Sequence, residues 1–502
     1  MRPIQPILPA PVAAGFSTED RDLRADVCIV GAGPGGSASA RVLSEAGLSV
    51  IVVEEGPKAS NFKTSQAHTA RYHMQEAGTM LARGPTPFLI AAGRGIGGGS
   101  LINSALCFRT PDAVLRHWDE LLDEDWSPET LSPVFEEMEE LLGVGPPSSD
   151  HAAGKHNVLI AEAAKRLGYA GGLAPRNTPG CVGCGACNFG CPVNGKATVN
   201  LNLMARAVQA GARIQAETRV QSVDVEGRRV VGVSGRMHHP DTGASGGRVR
   251  VRARHTVLSA GAVGTPRLLH HCGLAEELVE VGEGLLVHPG SAVLALFDEE
   301  VDVFQGATQG CYFHDPELPG LLPHTWTSPP EVVSMLLAPH YGSIKATFGV
   351  LRRIGGVLAL VSDHGHGRVG AFPDGRADIS YTFDPHDIEQ ILEGMILCAR
   401  VLLEAGATEL YAIAHGVPAT GDLELFSRAM RAASIRDFVL YSSHPMATCR
   451  MGRTIDGGGH ARGVEGLSIH DASVFPSSLG VNPQLSTMTV STVLSRRLAS
   501  AL

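Results

Sequence analysis

The sequence predicts an α/β fold: a Rossmann-like nucleotide-binding domain joined to a second, substrate domain built on an antiparallel sheet with helices. Three observations predict it. Ala25 to Gly56 reads as a strand, a glycine turn, a helix and a second strand. A further apolar strand, His255 to Ser259, also runs into a glycine turn, at Gly261. Between residues 290 and 430 the pattern changes: Ser291 to Phe297 and Ala377 to Tyr381 alternate with period two, and Asp387 to Glu404 has helical spacing.

Val27 to Val30 is an apolar run suited to a buried parallel strand, and it feeds Gly31, Gly33 and Gly36 in G-x-G-x-x-G spacing. Gly31 permits the tight turn, Gly33 lets a pyrophosphate approach the backbone, and Gly36 allows close helix-to-strand packing. Glu54 ends the second strand, Val50 to Val53, where its carboxylate can accept hydrogen bonds from a ribose. Residues 57 to 92 lack clean periodicity. Gly93 to Asn103 is a second glycine-dense stretch, fit for backbone contact with a flat or phosphorylated ligand; a plain flexible loop is the alternative. Residues 112 to 142 carry helical spacing and many acids, with Trp118 and Trp126 near the ends of the pattern, and read as a solvated helical excursion.

Ten cysteines are present, and Cys181, Cys184, Cys187 and Cys191 form the run C-x2-C-x2-C-x3-C-P, the spacing of bacterial ferredoxin ligands. No second run exists, so three thiolates could hold a [3Fe-4S] cluster or all four a [4Fe-4S] cluster. A structural zinc site, two disulfides and a metal-free loop are the other readings. Further on, Arg219 to Val223 and Val230 to Val233 suggest a hairpin around Gly227 with Val220 at its start. Near the end, His444 precedes Pro445, which places it on a loop. Leu467 to Val474 reads as a strand carrying Asp471, and Pro476 to Pro483 leads into a helix whose entry includes Asn482.

With 502 residues, 44% of them hydrophobic, the chain can bury large cores in two or three domain-sized units. The formal charge of −10 argues against general affinity for nucleic acid or anionic lipid. Residues 1 to 24 hold Pro3, Pro6, Pro9 and Pro11 with no long apolar core, and no apolar run approaches a transmembrane length. A cytoplasmic chain is expected. The nucleotide-binding domain is expected over 20–110, 195–290 and 435–502, the excursion and cysteine-rich loop over 111–194, and the substrate domain over 291–434.

Taken together, these residues resemble the glucose-methanol-choline (GMC) flavin oxidoreductases. The resemblance rests on Gly31 to Gly36 with Glu54, on Gly93 to Asn103 with Arg109, and on Ala260 to Leu269 followed by Val281-Gly282-Glu283 and His288-Pro289. It ends on His444 to Gly452 and on Asp471-Ala472 to Asn482-Pro483. It implies FAD, with Glu54 at the adenosine ribose, Val220 at the adenine, Gly98 and Asn103 along the flavin, and Asp471 and Ala472 at the ribityl and pyrophosphate portion. Arg94 and Pro483 complete the implied contacts. No histidine lies in Gly97 to Asn103, so the flavin is expected to be non-covalent. Ala447 departs from the family's usual glycine, and Gly99 from a frequent serine. The cysteine run resembles the branch containing long-chain alcohol oxidases, aminoglycoside primary-alcohol oxidases and iron-sulfur sugar dehydrogenases.

The implied reaction is oxidation of a small-molecule alcohol at a primary hydroxyl, with hydride passing to flavin N5. His444 would be the base and Asn482 its partner on the hydroxyl. Oxygen, or a separate redox partner reached through a cluster, would take the electrons. The rival readings are a flavin-containing lyase and a sterol or secondary-alcohol oxidase.

Overall fold

The computed structural model describes residues 5–58 and 65–502. Pro3 of the proline-bearing start and residues 59–64 of the aperiodic segment lie outside the described residues.

The first sheet runs in the order Arg213–Gln215, Val50–Val53, Arg21–Val30, Ser245–Leu258, Arg229–His238 and Thr218–Glu226. Leu467–Ile469 also pairs with Ser245–Leu258. Its central pairings are parallel, with Val27 beside Val50 and Val30 beside Leu258. The helix Pro34–Glu45 therefore starts where two parallel strands end side by side, the place where an α/β sheet receives a nucleotide. The expected strand at Val27 is the buried end of a ten-residue strand whose earlier, more polar half pairs with Val249 to Ala253. The hairpin turned at Gly227 is antiparallel, as its alternation predicts.

A second sheet of twelve strands is mostly antiparallel. Gly290–Phe297 and Ile354–Leu360 form its buried centre, covered by the helix Pro385–Glu404. It also recruits Leu81–Arg83, Phe88–Ile90, Ala170–Leu173 and Glu283–Leu285, short strands from segments that the sequence reading places outside the substrate domain.

Two sequence expectations change. The helices Asp112–Leu121 and Pro128–Leu142 are solvated on one face only. Leu131, Phe135, Met138 and Leu142 recur at helical spacing and are buried, and the second helix packs on the C-terminal helix Gln484–Ala501. Trp118 and Trp126 are fully buried, and Trp118 Nε1 donates to Ser477 Oγ at 2.9 Å. The strand expected over 467–474 stops at Ile469. Asp471 instead accepts the Ser473 N–H at 2.8 Å and begins a short 3-10 turn, because its side chain offers the backbone a local partner that a strand would not.

Candidate active site

Both sheets face a cavity of about 900 Å³. Its wall contains Gly31, Gly33, Glu54, Gly98, Asn103, Val220, His444, Asp471, Ala472, Asn482 and Pro483, together with Cys184. Gly36, Arg94, Cys181, Cys187 and Cys191 do not line it. Gly36 acts behind the wall: a Cβ there would lie 2.0 Å from the Gly31 carbonyl oxygen, so only glycine lets the helix meet the turn. Around Gly33 the situation is reversed. A Cβ would meet nothing nearer than the Gly98 Cα at 3.9 Å, so this face is open to the cavity, as a pyrophosphate requires.

Glu54 is buried and accepts from the backbone N–H groups of Ala32, Gly56 and Gly95 at 2.9, 2.9 and 3.0 Å. Burial raises its pKa, the adjacent Glu55 adds to that, and these donors work against it. Three of the roughly four acceptor positions of a carboxylate are thus taken, leaving one for a ribose hydroxyl. Arg94 was expected at the cofactor. It turns instead to Glu55, donating to that residue's carbonyl at 3.2 Å with its Nε 3.9 Å from the carboxylate. Burial would raise the pKa of Glu55, but Arg267, Arg219 and Arg94 outweigh it and hold the pKa at about 2. Asp471 anchors the second glycine turn by accepting from Gly261 N at 2.9 Å and Thr265 Oγ1 at 2.6 Å.

His444 lies on a loop after the strand Tyr441–Ser442, with its Nε2 3.1 Å from Asn482 Nδ2. Burial first, and then the neighbouring His288 and His324, push its pKa well below the ordinary histidine value, so the imidazole is neutral at neutral pH. Three residues on, Ala447 has φ +67°, a left-handed conformation that glycine adopts without cost.

Sequence reasoning missed two residues behind Asn103. Gln484 Oε1 accepts from Asn103 Nδ2 at 2.7 Å. The buried Lys196 ammonium donates to the carbonyls of Leu101, Asn103 and Cys187 at 3.1, 2.9 and 3.0 Å, pinning the second glycine stretch to the cysteine loop. Burial brings its pKa down to about 8. Their positions alone hinted at a role: Gln484 follows Pro483, and the cysteine-rich motif continues to Lys196.

All ten thiols are free. Those of the cysteine run do not assemble a donor set: among the described residues no group of three or more His, Cys, Asp or Glu side chains is placed to hold a metal ion. Cys181 and Cys191 accept instead from Gly183 N and Gly195 N at 3.4 and 3.1 Å, and Cys187 from Arg176 Nη2 at 3.1 Å. The iron-sulfur expectation therefore does not fit the loop as folded. Among the described residues no helix is long and apolar enough to cross a membrane.

Comparison with known proteins agrees with this geometry. Residues 70–290 and 365–491 match the GMC oxidoreductase family, and residues 24–80 match an FAD binding domain. An uncharacterised GMC-type oxidoreductase of Mycobacterium tuberculosis is 34% identical, covering 93% of this chain and 74% of that protein. A long-chain-alcohol oxidase of Arabidopsis thaliana is 26% identical over 96% of this chain and 68% of its own. The crystal structure of pyridoxine 4-oxidase from Mesorbium loti shares the fold, with a TM-score of 0.70 at 17% identity, covering 94% of this chain and 98% of that one. The glycine turns, the loop histidine with its amide partner, and these matches make the chain a member of the GMC oxidoreductase family, an FAD-dependent oxidoreductase.

Proposed function

We propose that the protein oxidises a primary alcohol carrying an extended apolar group to the aldehyde, holds FAD non-covalently, and passes the electrons to oxygen. The observation that carries this reading is the His444–Asn482 pair, 3.1 Å apart on the wall of the cavity that Gly33 and Gly98 open to a nucleotide. Neutral His444 can take the hydroxyl proton, and the Asn482 amide can fix the alcohol oxygen so that the carbinol carbon is held in one orientation. FAD, when bound, supplies the acceptor for the hydride. Met74, Met80, Leu89 and Trp326 line the same cavity and suit an apolar chain. Beyond Trp326 the chain leaves the wall at Pro330 into the helix Pro330–Tyr341 and the buried strand Ile354–Leu360.

The test is anaerobic mixing with 1-dodecanol, followed by air, on protein whose iron has been quantified. Rapid bleaching, then recovery with release of peroxide from iron-free protein, is expected. Lack of bleaching sinks the alcohol reading and returns the lyase, and recovery only with an added dye sinks the oxygen reading.

Two results should accompany it. The bleaching rate should stay level from about pH 8 to about pH 6.5 and fall only in more acidic buffer, because the depressed pKa of His444 keeps its lone pair free across that range. A rate halved near neutral pH would show an ordinary histidine. Gly33→Val should fold with an unchanged circular dichroism spectrum, since its Cβ meets open space, yet bind FAD about 100-fold more weakly. That figure corresponds to two charge-assisted hydrogen bonds to phosphate of ~1.5 kcal/mol each, read by flavin titration.

A further inference from the structure

Behind His444 a line of polar groups leads away from the cavity. His444 Nδ1 lies 3.3 Å from His288 Nδ1, and the two rings are nearly perpendicular. On the far side of the ring, His288 Nε2 is 3.0 Å from Ser478 Oγ, which donates to Asp363 Oδ1 at 3.4 Å. Asp363 also accepts the backbone N–H groups of Val287 and His288, at 2.8 and 3.1 Å, and the Tyr381 hydroxyl at 2.6 Å. These contacts hold His288 at φ +48°, a conformation that a non-glycine residue adopts only when its surroundings impose it. Asp363 is buried, and among the described residues it has no cationic partner within ion-pair distance.

We infer that His288, Ser478 and Asp363 form a proton relay that carries the alcohol proton from His444 to the Asp363 carboxylate. The inference rests on the proposed alcohol oxidation. Before the reaction, His444 Nε2 is bare, its Nδ1–H donates to His288 Nδ1, His288 Nε2–H donates to Ser478, and Ser478 donates to ionised Asp363. The proton taken at His444 Nε2 displaces each proton one place along. At the end His444 carries its proton on Nε2, His288 on Nδ1, and Asp363 is a neutral acid. His444, His288 and Ser478 each gain one proton and lose one, and Asp363 gains the Ser478 proton, which balances the one removed from the alcohol.

One contact gives the relay a direction. The Gly480 backbone N–H points at His288 Nε2 at 3.1 Å, and a backbone amide can only donate. It opposes a proton on Nε2 and favours the discharged setting. At the other end, Asn482 Oδ1 is buried with no partner, and turning the amide would set it against His444 Nε2–H. Both ends of the line thus favour the state after transfer. Burial raises the pKa of Asp363 and readies it to receive the proton, although Tyr381, Val287 and His288 work against this.

Ser478→Ala cuts the line while leaving the backbone contacts of Asp363 and the Gly480 contact of His288 in place. It is expected to slow bleaching by 1-dodecanol at least tenfold, to enlarge the solvent deuterium isotope effect, and to leave dithionite reduction of the flavin unchanged. Ser478→Thr, which keeps the hydroxyl, should restore most of the rate. In infrared difference spectra, alcohol-reduced wild type should show a new protonated-carboxyl band that is absent from Ser478→Ala. A wild-type rate and isotope effect in Ser478→Ala, or persistence of the band, would overturn the relay. A second measurement needs no substrate. Nitrogen-15 spectra of histidine-labelled, FAD-loaded protein should show His288 protonated on Nε2 and bare on Nδ1, despite the Gly480 N–H; the opposite tautomer would overturn the relay even if the alcohol reading holds. Failure of any alcohol to bleach the wild type, with the His288 tautomer as expected, would remove the proposed substrate and leave the ordered line supported.

Discussion

Replacing His444 with alanine is expected to slow alcohol-driven bleaching of the flavin by about 10²- to 10⁴-fold, with FAD still bound and its dithionite reduction unaltered. The reason is local. Hydride departure leaves the carbinol carbon electron-poor unless the hydroxyl proton leaves with it, and among the groups close to Asn482 on the cavity wall His444 is the side chain with a free lone pair at neutral pH. Its backbone contact is a single N–H to Ser442 Oγ at 3.4 Å, so truncation leaves the loop's anchoring intact. Stopped-flow absorbance on anaerobic enzyme measures the step directly. A loss of less than threefold would remove His444 from proton abstraction and shift attention to a water or an Asn482-bound alkoxide.

Mild acid is expected to cost the fold several kcal/mol, more than most single substitutions do. Burial lowers the pKa of His156, His255 and His324 to about 4 and of His288 and His470 to about 3. An unfolded histidine titrates near ~6.5, so below that pH the unfolded chain binds protons that the folded chain refuses, and stability falls as pH falls. At about pH 5.5 each such residue costs roughly 1.4 kcal/mol, together about 7 kcal/mol. Glu54, Asp363, Asp387 and Asp471 act in the opposite sense: burial raises their pKa, and their share of stability recovers as pH falls. The net loss is therefore smaller than the histidine sum, yet large against a total of about 5–15 kcal/mol. Thermal melts should show the midpoint at about pH 5.5 lowered by roughly 3–6 °C relative to about pH 7.5. Equal midpoints would mean that these rings accept protons within the fold.

What the sequence revealed follows the range of the interactions involved. The glycine turn, the strand before it and Glu54 are written within one short stretch, where periodicity and glycine spacing report local geometry. The loop character of His444 is equally local, set by Pro445. Arg94 shows the limit: the resemblance implies a cofactor contact, and only the fold shows Glu55 beside it. Gln484 and Lys196 reach Asn103 from 381 and 93 positions away, and no spacing rule spans such distances. His288 was visible within a motif, but its link to Ser478 and Asp363 joins three loops that no pattern connects. The acids of residues 112–142 concealed a buried stripe because charge on one helix face says nothing about the opposite face.

The C-terminal helix Gln484–Ala501 lies against the helix Pro34–Glu45, His470 Nδ1 bridges Ser39 and Ser495 at 3.0 and 3.1 Å, and the His470 carbonyl would lie 2.1 Å from a Cβ at Gly35. The first nucleotide-binding turn is thus finished by residues more than four hundred positions further along the chain. While the chain is being synthesised, its opening strand, turn and helix must wait through more than four hundred further residues before their packing partners leave the ribosome. Loading of the cofactor accordingly waits until the helix Gln484–Ala501 has been made, and the half-built sheet, with its apolar strands uncovered, is the form that chaperones would meet.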